Sequence, residues 1–348
     1  MSNGMDTTQG RGNDLSGGSA PDEGPARVRA MLFDAASATR EVTGLDAALV
    51  MDPSEDQLLW IDLHAPDETE LARMAERLSL PRAAIDGYAG TDTNPALENC
   101  GKCFWARVVA VADSPSPAFS GTVLTIVAGK NVVATLHRQP VEFLDNFRDG
   151  QGGRSGVGAL TSGSFVSALL EWHLGTYFSA VSRFELAVER LEVDVLSTAP
   201  RDCLEELRSL RKGASRLRRM LAPHRGVFTA LGRPDFRPEE DEQTERHFRA
   251  LDTHYERAMD MVENARDLVV GTFELFSSQT ALSANETMKV LTFVTVVVGV
   301  LAVIGGILGM NFEAPFFKTG VAGFSVAVVL MLVLAAGSIL WGKHKRWF

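Results

Sequence analysis

Two short stretches of this 348-residue chain carry groups that could bind a metal ion. Cys100 and Cys103 form a Cys-x-x-Cys pair, which supplies two of the four thiolate or imidazole ligands that a structural zinc site needs. No second pair follows, so we favour two thiols beside a strand over a zinc-sensing site. The other stretch is Gly309-Met310-Asn311, in which the Asn311 side chain and the Gly309 carbonyl offer neutral oxygens, a ligand type that Mg²⁺ accepts.

The sequence contains no set of side chains typical of an enzyme. No Ser-His-Asp set, phosphate loop or paired catalytic carboxylate stands at a recognisable spacing, and His64 and His137 are expected at strand ends rather than as ligands. With a net charge of −10, the chain has no excess of basic residues of the kind that binds nucleic acid. Enzymatic and nucleic-acid-binding functions are therefore disfavoured, and no cofactor is expected.

The tripeptide ends an apolar run, Val290 to Met310, that has no charged residue. At about 1.5 Å rise per residue, this run is long enough to cross a hydrocarbon core of about 30 Å. A second apolar run, Val321 to Trp341, follows the short connection 311–320. We therefore predict two transmembrane helices, at about 290–310 and at 321–341, that form a C-terminal hairpin in the lipid bilayer.

Positive charge marks one side of this hairpin. Lys289 precedes the first span and the basic residues of 342–348 follow the second, whereas the connection 311–320 holds one Glu and one Lys. The positive-inside rule places both termini in the cytoplasm, with 342–348 as a basic cytoplasmic tail of an inner-membrane protein. Residues 1–25, rich in Gly, Ser, Asp and Pro, are predicted to form a disordered N-terminal tail.

Residues 26–150 are predicted to form a cytosolic α/β domain with a mixed sheet. The predicted strands are apolar stretches, namely Val28 to Phe33, Leu58 to Leu63, Cys103 to Ala112, Thr122 to Val127 and Val132 to His137. The last two are expected to form a hairpin through Gly129-Lys130-Asn131. An amphipathic helix is predicted from Asp67 to Leu78, and a short one from Pro81 to Gly87.

Residues 151–237 are predicted to hold a Gly-rich linker and then a helical hairpin. One helix is expected from Ser164 to Ser197, with acidic residues toward its end, and a basic one from Asp202 to Leu221. Opposite charges on the two helices fit an antiparallel pair. A solvated hairpin with ion pairs is favoured over a dedicated metal or anion site.

Residues 238–310 are predicted to form one stalk helix, because no proline stands between Pro238 and Pro315. From Glu240 to Met310 such a helix is about 100 Å long. Its soluble half carries a heptad-like seam that requires partner helices, formed by Leu251, Tyr255, Ala258, Val262, Ala265, Val269, Thr272, Phe276 and Gln279. Two membrane helices cannot enclose a pathway alone, so the stalk helix is expected to line a pore in an oligomer of identical chains.

If the same face continues into the membrane, it lines the pore with Asn285, Thr292, Thr295, Gly299, Ala302 and Gly306. Apolar rings of Met288 and Leu291 are expected to close the pathway by excluding water. At the outer mouth, Gly309, Met310 and Asn311 are expected to select the ion, and Glu313 to attract cations. The alternatives are close helix packing for the glycines and a plain helix C-cap for Asn311.

The Met-Lys-Val-Leu-Thr sequence at 288–292, the Gly-Met-Asn at 309–311 and the Trp-Ile-Asp-Leu at 60–63 together resemble the CorA superfamily of divalent metal ion transporters. The resemblance implies a funnel-shaped homo-oligomer, a pentamer, that takes up Mg²⁺ or Co²⁺ through an axial pore. It also implies that the helical hairpin braces the pore helix.

The chain departs from the superfamily at two places that bear on function. Ala250 stands where an acid would join a regulatory metal site, so Mg²⁺-gated closure is not expected, and any cytosolic metal would bind among Asp86, Asp92 and Asp252. The segment 222–225 and the ends of the second span are similar to the ZntB branch. The alternatives are therefore a Zn²⁺ transporter, proton-coupled or not, and a membrane scaffold that conducts no ion.

Overall fold

The computed structural model describes residues 28–35, 39–80, 82–89, 93–112, 118–151, 161–197, 203–236, 242–310 and 320–345, without the side chains of residues 83, 86, 87, 89 and 151. The N-terminal tail 1–25 lies outside the described residues. The chain divides into two compact units. The first comes from Met1–Ala112, Gly121–Thr176 and Pro223–Glu256, and the second from Asp113–Ser120, Tyr177–Ala222 and Arg257–Phe348.

The first unit contains a mixed seven-stranded sheet in the order β2-β1-β3-β7-β6-β5-β4. Its strands are β1 (Val28–Asp34), β2 (Arg40–Val42), β3 (Gln57–His64), β4 (Ala96–Asn99), β5 (Phe104–Ala112), β6 (Ser120–Gly129) and β7 (Val132–His137). Strands β3 and β7 are parallel, whereas β6 and β7 form an antiparallel hairpin. The five predicted strands are confirmed, and the short β2 and β4 were missed because three or four residues give too little alternation to detect.

Nine α-helices lie in the described residues. They are α1 (Leu45–Val50), α2 (Glu68–Leu78), α3 (Arg82–Ala89), α4 (Glu142–Gln151), α5 (Ser162–Ser197), α6 (Cys203–Leu221), α7 (Arg225–Leu231), α8 (Glu242–Leu308) and α9 (Gly320–His344). The predicted long helix is confirmed as the 67 residues of α8. Three short helices, α1, α4 and α7, were not predicted, since six to ten residues leave the helical period weakly defined.

Alternating side chains of β3 pack on opposite faces of the sheet. Leu59 and Ile61 join a core that includes residues of α1 and α2, whereas Trp60 contacts Phe147 of α4 and Phe165 of α5 at ring distances of 5.7 and 5.6 Å. The period-two alternation of a strand produces this division. Helices therefore cover both faces of the sheet.

Asp67 fixes the start of α2 by a capping box. Its Oδ1 accepts the Glu70 N–H at 2.8 Å, and the Glu70 Oε2 accepts the Asp67 N–H at 2.9 Å. Two backbone donors that the first turn leaves without partners are thereby satisfied. This places the first turn of α2 directly after the Trp-Ile-Asp-Leu strand β3.

Asp62 of that strand is the centre of a buried charged network. Its carboxylate accepts hydrogen bonds from Thr135 (2.6 Å) and Arg148 (2.9 Å), and it faces the Nε2 of His137 at 3.2 Å. Burial alone would raise the pKa of Asp62, but these hydrogen bonds and the charges of His137 and Arg148 outweigh it and lower the pKa. The network ties α4 to the centre of the sheet.

His137 carries a proton on both ring nitrogens in this network. Its Nδ1 faces the Gln139 carbonyl at 2.7 Å and its Nε2 faces Asp62, and both partners are acceptors. Burial opposes the charge, but Asp62 and the Gln139 carbonyl raise the pKa of His137 above its ordinary value. The expected strand-end position of His137 is confirmed, and its role is structural.

Two other histidines bind one peptide group of β5. The Nε2 of His173 donates to the Val109 carbonyl at 3.0 Å, and the Val109 N–H donates to the Nε2 of His224 at 2.9 Å. Both side chains are fully buried, and the Nε2 of His224 accepts a hydrogen bond and so carries no proton. Burial lowers the pKa of His173 to about 4, although the hydrogen bond with Val109 partly opposes that shift.

We predict that this histidine makes the first unit less stable in acid. The unfolded chain binds a proton near pH 6.5, whereas folded His173 binds one only near pH 4, so stability is lost as the pH falls between these values. At about pH 4.5 the loss reaches roughly 2 to 3 kcal/mol. His173→Gln keeps a donor for Val109 but does not titrate, and should show a smaller drop in unfolding temperature between pH 7 and about pH 4.5.

Exposed His344, at the end of α9, provides the matched control, and His344→Gln should retain the pH dependence of the parent chain. Equal acid sensitivity in His173→Gln and in the parent chain would show that His173 does not titrate as its burial requires.

Candidate ion-permeation site

The described residues include two helices that are long and apolar enough to cross a membrane, α8 and α9. Their most apolar segments have mean hydropathies of 2.7 and 2.5, and only 6% and 0% of those segments are buried within the chain. A soluble protein would bury such segments in its core. The exposed apolar surface therefore indicates a bilayer, other copies of the chain, or both.

Helix α9 packs against α8 through a ridge of mainly small side chains. Its less exposed residues, spaced by three and four, are Gly323, Ala327, Met331, Ala335, Ser338 and Gly342. A Cβ added at Gly305 of α8 would lie 3.9 Å from the Cε of Met331. Small residues at this spacing allow two membrane helices to approach closely.

One face of α8 is covered in the hairpin, and its residues are Phe293, Val297, Leu301 and Ile304. Phe293 is only 9% exposed, whereas Met288 and Leu291 are each 65% exposed. This covered face also stands in register with the seam, because Phe293 and Val297 follow Thr272 and Phe276 by three heptads.

The seam itself is buried within a single chain. From Leu251 to Thr272 its side chains are almost fully covered, and Thr272 donates a hydrogen bond to the Glu192 carboxylate of α5 at 2.9 Å. Arg218 of α6 lies 3.6 Å from Glu263 of α8. The expectation that α5 and α6 brace the long helix is confirmed, and charged residues of both reach α8.

The covered seam face does not continue into the residues predicted to line the pore, and the pore lining stays a prediction. The same chain covers the seam from residue 251 to residue 272, residues 280–289 are all exposed, and a covered face returns at Phe293 in the apolar segment. Residues two apart on a helix point about 200° apart. Thr295, Gly299, Ala302 and Gly306 each stand two residues from a covered residue, and so lie on the opposite, bare face.

All of the residues predicted to line or gate the pore are exposed in the single chain where the structure describes them. They are Asn285, Met288, Leu291, Thr292, Thr295, Gly299, Ala302, Gly306, Gly309 and Met310. A Cβ added at Gly299 or Gly306 would meet nothing within 4 Å. Packing of the hairpin within one chain therefore does not require these two glycines.

Sequence reasoning missed the continuation of this bare face in the more N-terminal part of α8. Asp260, Asp267 and Glu274 are exposed and stand at seven-residue intervals, in the same heptad position as Met288, Thr295 and Ala302. The seven-residue spacing of the carboxylates was the available signal. The apolar seam on the other side of the helix gives a stronger pattern than three carboxylates do.

A hydroxyl and the end of the helix supply oxygens on the bare face. Thr295 donates its proton to the Leu291 carbonyl at 2.8 Å, so the hydroxyl lone pairs remain available to an ion or its hydration water. The helix stops after Leu308, and the Gly309 N–H bonds to the Gly305 carbonyl at 2.9 Å.

A side chain at position 309 would crowd this helix end, because an added Cβ would lie 3.2 Å from the Gly305 oxygen. Asn311 and Glu313, the other predicted mouth residues, lie outside the described residues.

Of the three predicted metal ligands Asp86, Asp92 and Asp252, only the side chain of Asp252 is described. Asp252 is 3.4 Å from the Thr229 hydroxyl, the side chain of Asp86 is not described, and Asp92 lies outside the described residues. Within the described chain, no group of three or more His, Cys, Asp or Glu side chains is placed to hold a metal ion.

A sheet-containing unit, a 67-residue helix and a two-helix apolar hairpin define a membrane protein with a large non-membrane part. The sequence pattern of the CorA-like Mg²⁺ transporter protein family matches residues 55–344. The chain therefore belongs to that family, which is a family of membrane transporters.

The relatives of this chain are named for different metal ions. The chain is 30% identical over 184 residues to the cobalt/magnesium transport protein CorA of Thermotoga maritima, a match that spans 53% of this chain and about half, 51%, of that protein. It is 22% identical over 294 residues to the zinc transport protein ZntB of Yersinia enterocolitica, covering 84% of this chain and 88% of that one.

The fold agrees with that of a complete solved transporter. The CorA magnesium transporter from Methanocaldococcus jannaschii has a TM-score of 0.71 at 21% identity, over 92% of this chain and 98% of that one. At this identity the likeness shows the fold.

Proposed function

We propose that this protein carries divalent metal cations across the inner membrane, along an axial pathway lined by α8 of a homo-oligomer. The observation that supports this most is the bare face of α8, which is polar or small over much of its length and lies opposite the face covered by α9. Such a face in a membrane helix needs an aqueous passage or neighbouring helices. One hairpin cannot enclose a passage, so several copies contribute one α8 each, with five copies as in the superfamily.

Neutral oxygens along the passage suit Mg²⁺, which gives up its water reluctantly and is held through that water. The Asn311 amide and the Gly309 carbonyl form the selective outer ring, with Met310 between them and Glu313 attracting cations beyond it. The hydroxyls of Thr292 and Thr295 continue the polar lining. Carboxylate rings at Asp260, Asp267 and Glu274 hold cations near the cytosolic end by their charge.

The passage closes at Met288 and Leu291. Both side chains are exposed in one chain and lie on or beside the bare face, so copies around an axis bring them together as apolar rings. Apolar constrictions exclude water and thereby stop hydrated ions. Lys289 and the basic residues after α9 place this end in the cytoplasm, with both termini on that side.

Mg²⁺ or Co²⁺ is the proposed cargo, moving passively. Zn²⁺ is the second candidate, with proton coupling, and the similarity to ZntB of Yersinia enterocolitica supports it. Both candidates use the same bare face of α8. They differ in the ion and in the driving force.

Flux into liposomes that contain the purified protein tests this function. Mg²⁺, Co²⁺ and Zn²⁺ are supplied separately, each with and without an inward proton gradient. Entry of Mg²⁺ or Co²⁺ that does not depend on the gradient is expected. Zn²⁺ entry that increases with the gradient would favour the second candidate, and no flux of any ion would leave only a scaffold role.

We predict that Asn311→Ala abolishes uptake, because it removes the uncharged side-chain oxygen proposed for the outer ring. The substitution should leave assembly intact, as judged by the size of the purified oligomer. Val329→Ala, which also shortens one side chain but on the exposed surface of α9, serves as the matched control and should keep normal flux. Normal flux through Asn311→Ala would contradict the filter assignment.

We also predict that thiol labelling distinguishes the two faces of α8. In a background with the three native cysteines replaced by serine, Ala302→Cys should react with a small hydrophilic thiol reagent, and the reaction should block flux. Leu301→Cys, one residue away on the α9 side, should be protected. Protection at 302 together with labelling at 301 would place the passage on the wrong face.

A further inference from the structure

The connection between β4 and β5 holds two cysteines on a constrained turn. The Cys100 N–H donates to the Cys103 carbonyl at 2.8 Å, and the Asn99 Oδ1 accepts the Gly101 N–H at 3.0 Å. Gly101 adopts φ 84°, a conformation that glycine reaches without strain. The backbone that carries both thiols is therefore fixed before any ligand arrives.

The two sulfurs point to the same side of this hairpin. Pairing of Glu98 with Trp105, together with the alternation of strand side chains, places Cys100 and Cys103 on the face that Glu98 occupies. Cys103 is only 6% exposed, whereas Cys100 is open to solvent, so an ion can reach the pair from one side.

We propose that Cys100 and Cys103 form a two-thiolate binding site for a soft metal ion, of which Cu(I) is the type that the site fits. Thiolates select soft ions, Cu(I) among them, whereas a structural zinc site needs four ligands. In the described part of the chain, no third metal-binding side chain joins the pair as a ready ligand. The nearby Glu98 carboxylate accepts a hydrogen bond from the Trp105 indole at 3.2 Å.

The two thiols must lose their protons to bind the metal ion. Binding one Cu(I) breaks two S–H bonds, releases two protons to the buffer and forms two S–Cu bonds, and copper keeps its oxidation state.

This site is chemically separate from the proposed ion passage. The passage offers oxygens to hard cations, and the turn offers sulfur to soft ones. The cysteine pair would therefore bind an ion other than Mg²⁺, and this binding can be tested without measuring transport.

The test uses the full chain, reduced and purified without oxygen, and titrates it with Cu(I) against a chromophoric Cu(I) chelator. We expect one equivalent per chain, two protons released per ion, and protection of both thiols from alkylation. Cys100→Ser and Cys103→Ser should each weaken binding by roughly a hundredfold or more, because each leaves one ligand of a chelating pair.

The third cysteine supplies the matched control, since Cys203 lies buried at the start of α6. Cys203→Ser should bind copper like the parent chain. Cys103 is buried, so the exposed Cys100→Ser decides the result if Cys103→Ser misfolds. Unchanged binding in Cys100→Ser, equal loss in Cys203→Ser, or no Cu(I) bound by the parent chain would each overturn the proposal.

Discussion

The rest of the structure depends on α8 keeping one face covered and the opposite face bare, both from residue 251 to residue 272 and in its apolar segment from Phe293 onward. The covered face repeats every seven residues, with Leu251, Tyr255 and Val262 almost inaccessible. Full burial of one such apolar side chain contributes about 1.5–3 kcal/mol, so several in succession hold the helix in a fixed rotation. The bare face is then defined by what the chain leaves uncovered.

Within the first unit, aromatic and histidine contacts attach the start of α8 to the sheet. Tyr255 stacks on Phe228 of α7 at 5.1 Å, and Phe228 contacts His173 and His224, which bind the Val109 peptide of β5. Neutral histidines suit this position because a charged ring would be buried without a counter-ion. The first turns of α8 are therefore fixed to the sheet through hydrogen bonds of defined direction, as well as by apolar contact.

Sequence reasoning identified the elements with long, regular patterns. The strands with clear alternation, the apolar hairpin and the unbroken α8 were predicted, because each repeats its signal over many residues. The heptad pattern did not predict which helices cover the seam face of α8. A heptad seam shows which residues need cover but not which helices provide it. That choice depends on α5, α6 and α9, whose contacts join residues far apart in the chain, such as Glu192 and Thr272.

Local residue type also failed to reveal the buried network and the acidic stripe. Asp62 and His137 look like ordinary strand-end residues in sequence, and only the parallel pairing of β3 with β7 brings them together. Asp260, Asp267 and Glu274 read as a solvated helix surface. Only the structure shows that these three carboxylates lie on the side of α8 opposite its covered face.

The distribution of charge along the bare face fits conduction better than storage. A pathway must attract a divalent ion without holding it, and a carboxylate cage inside the membrane would hold it. On this face the carboxylates stand at 260, 267 and 274, whereas positions 285, 288, 292, 295, 299, 302 and 306 are neutral. In the proposed pathway, attraction and passage therefore fall on different parts of one helix face. The apolar part of α8 can offer weak oxygen contacts there because the more N-terminal part supplies the charge.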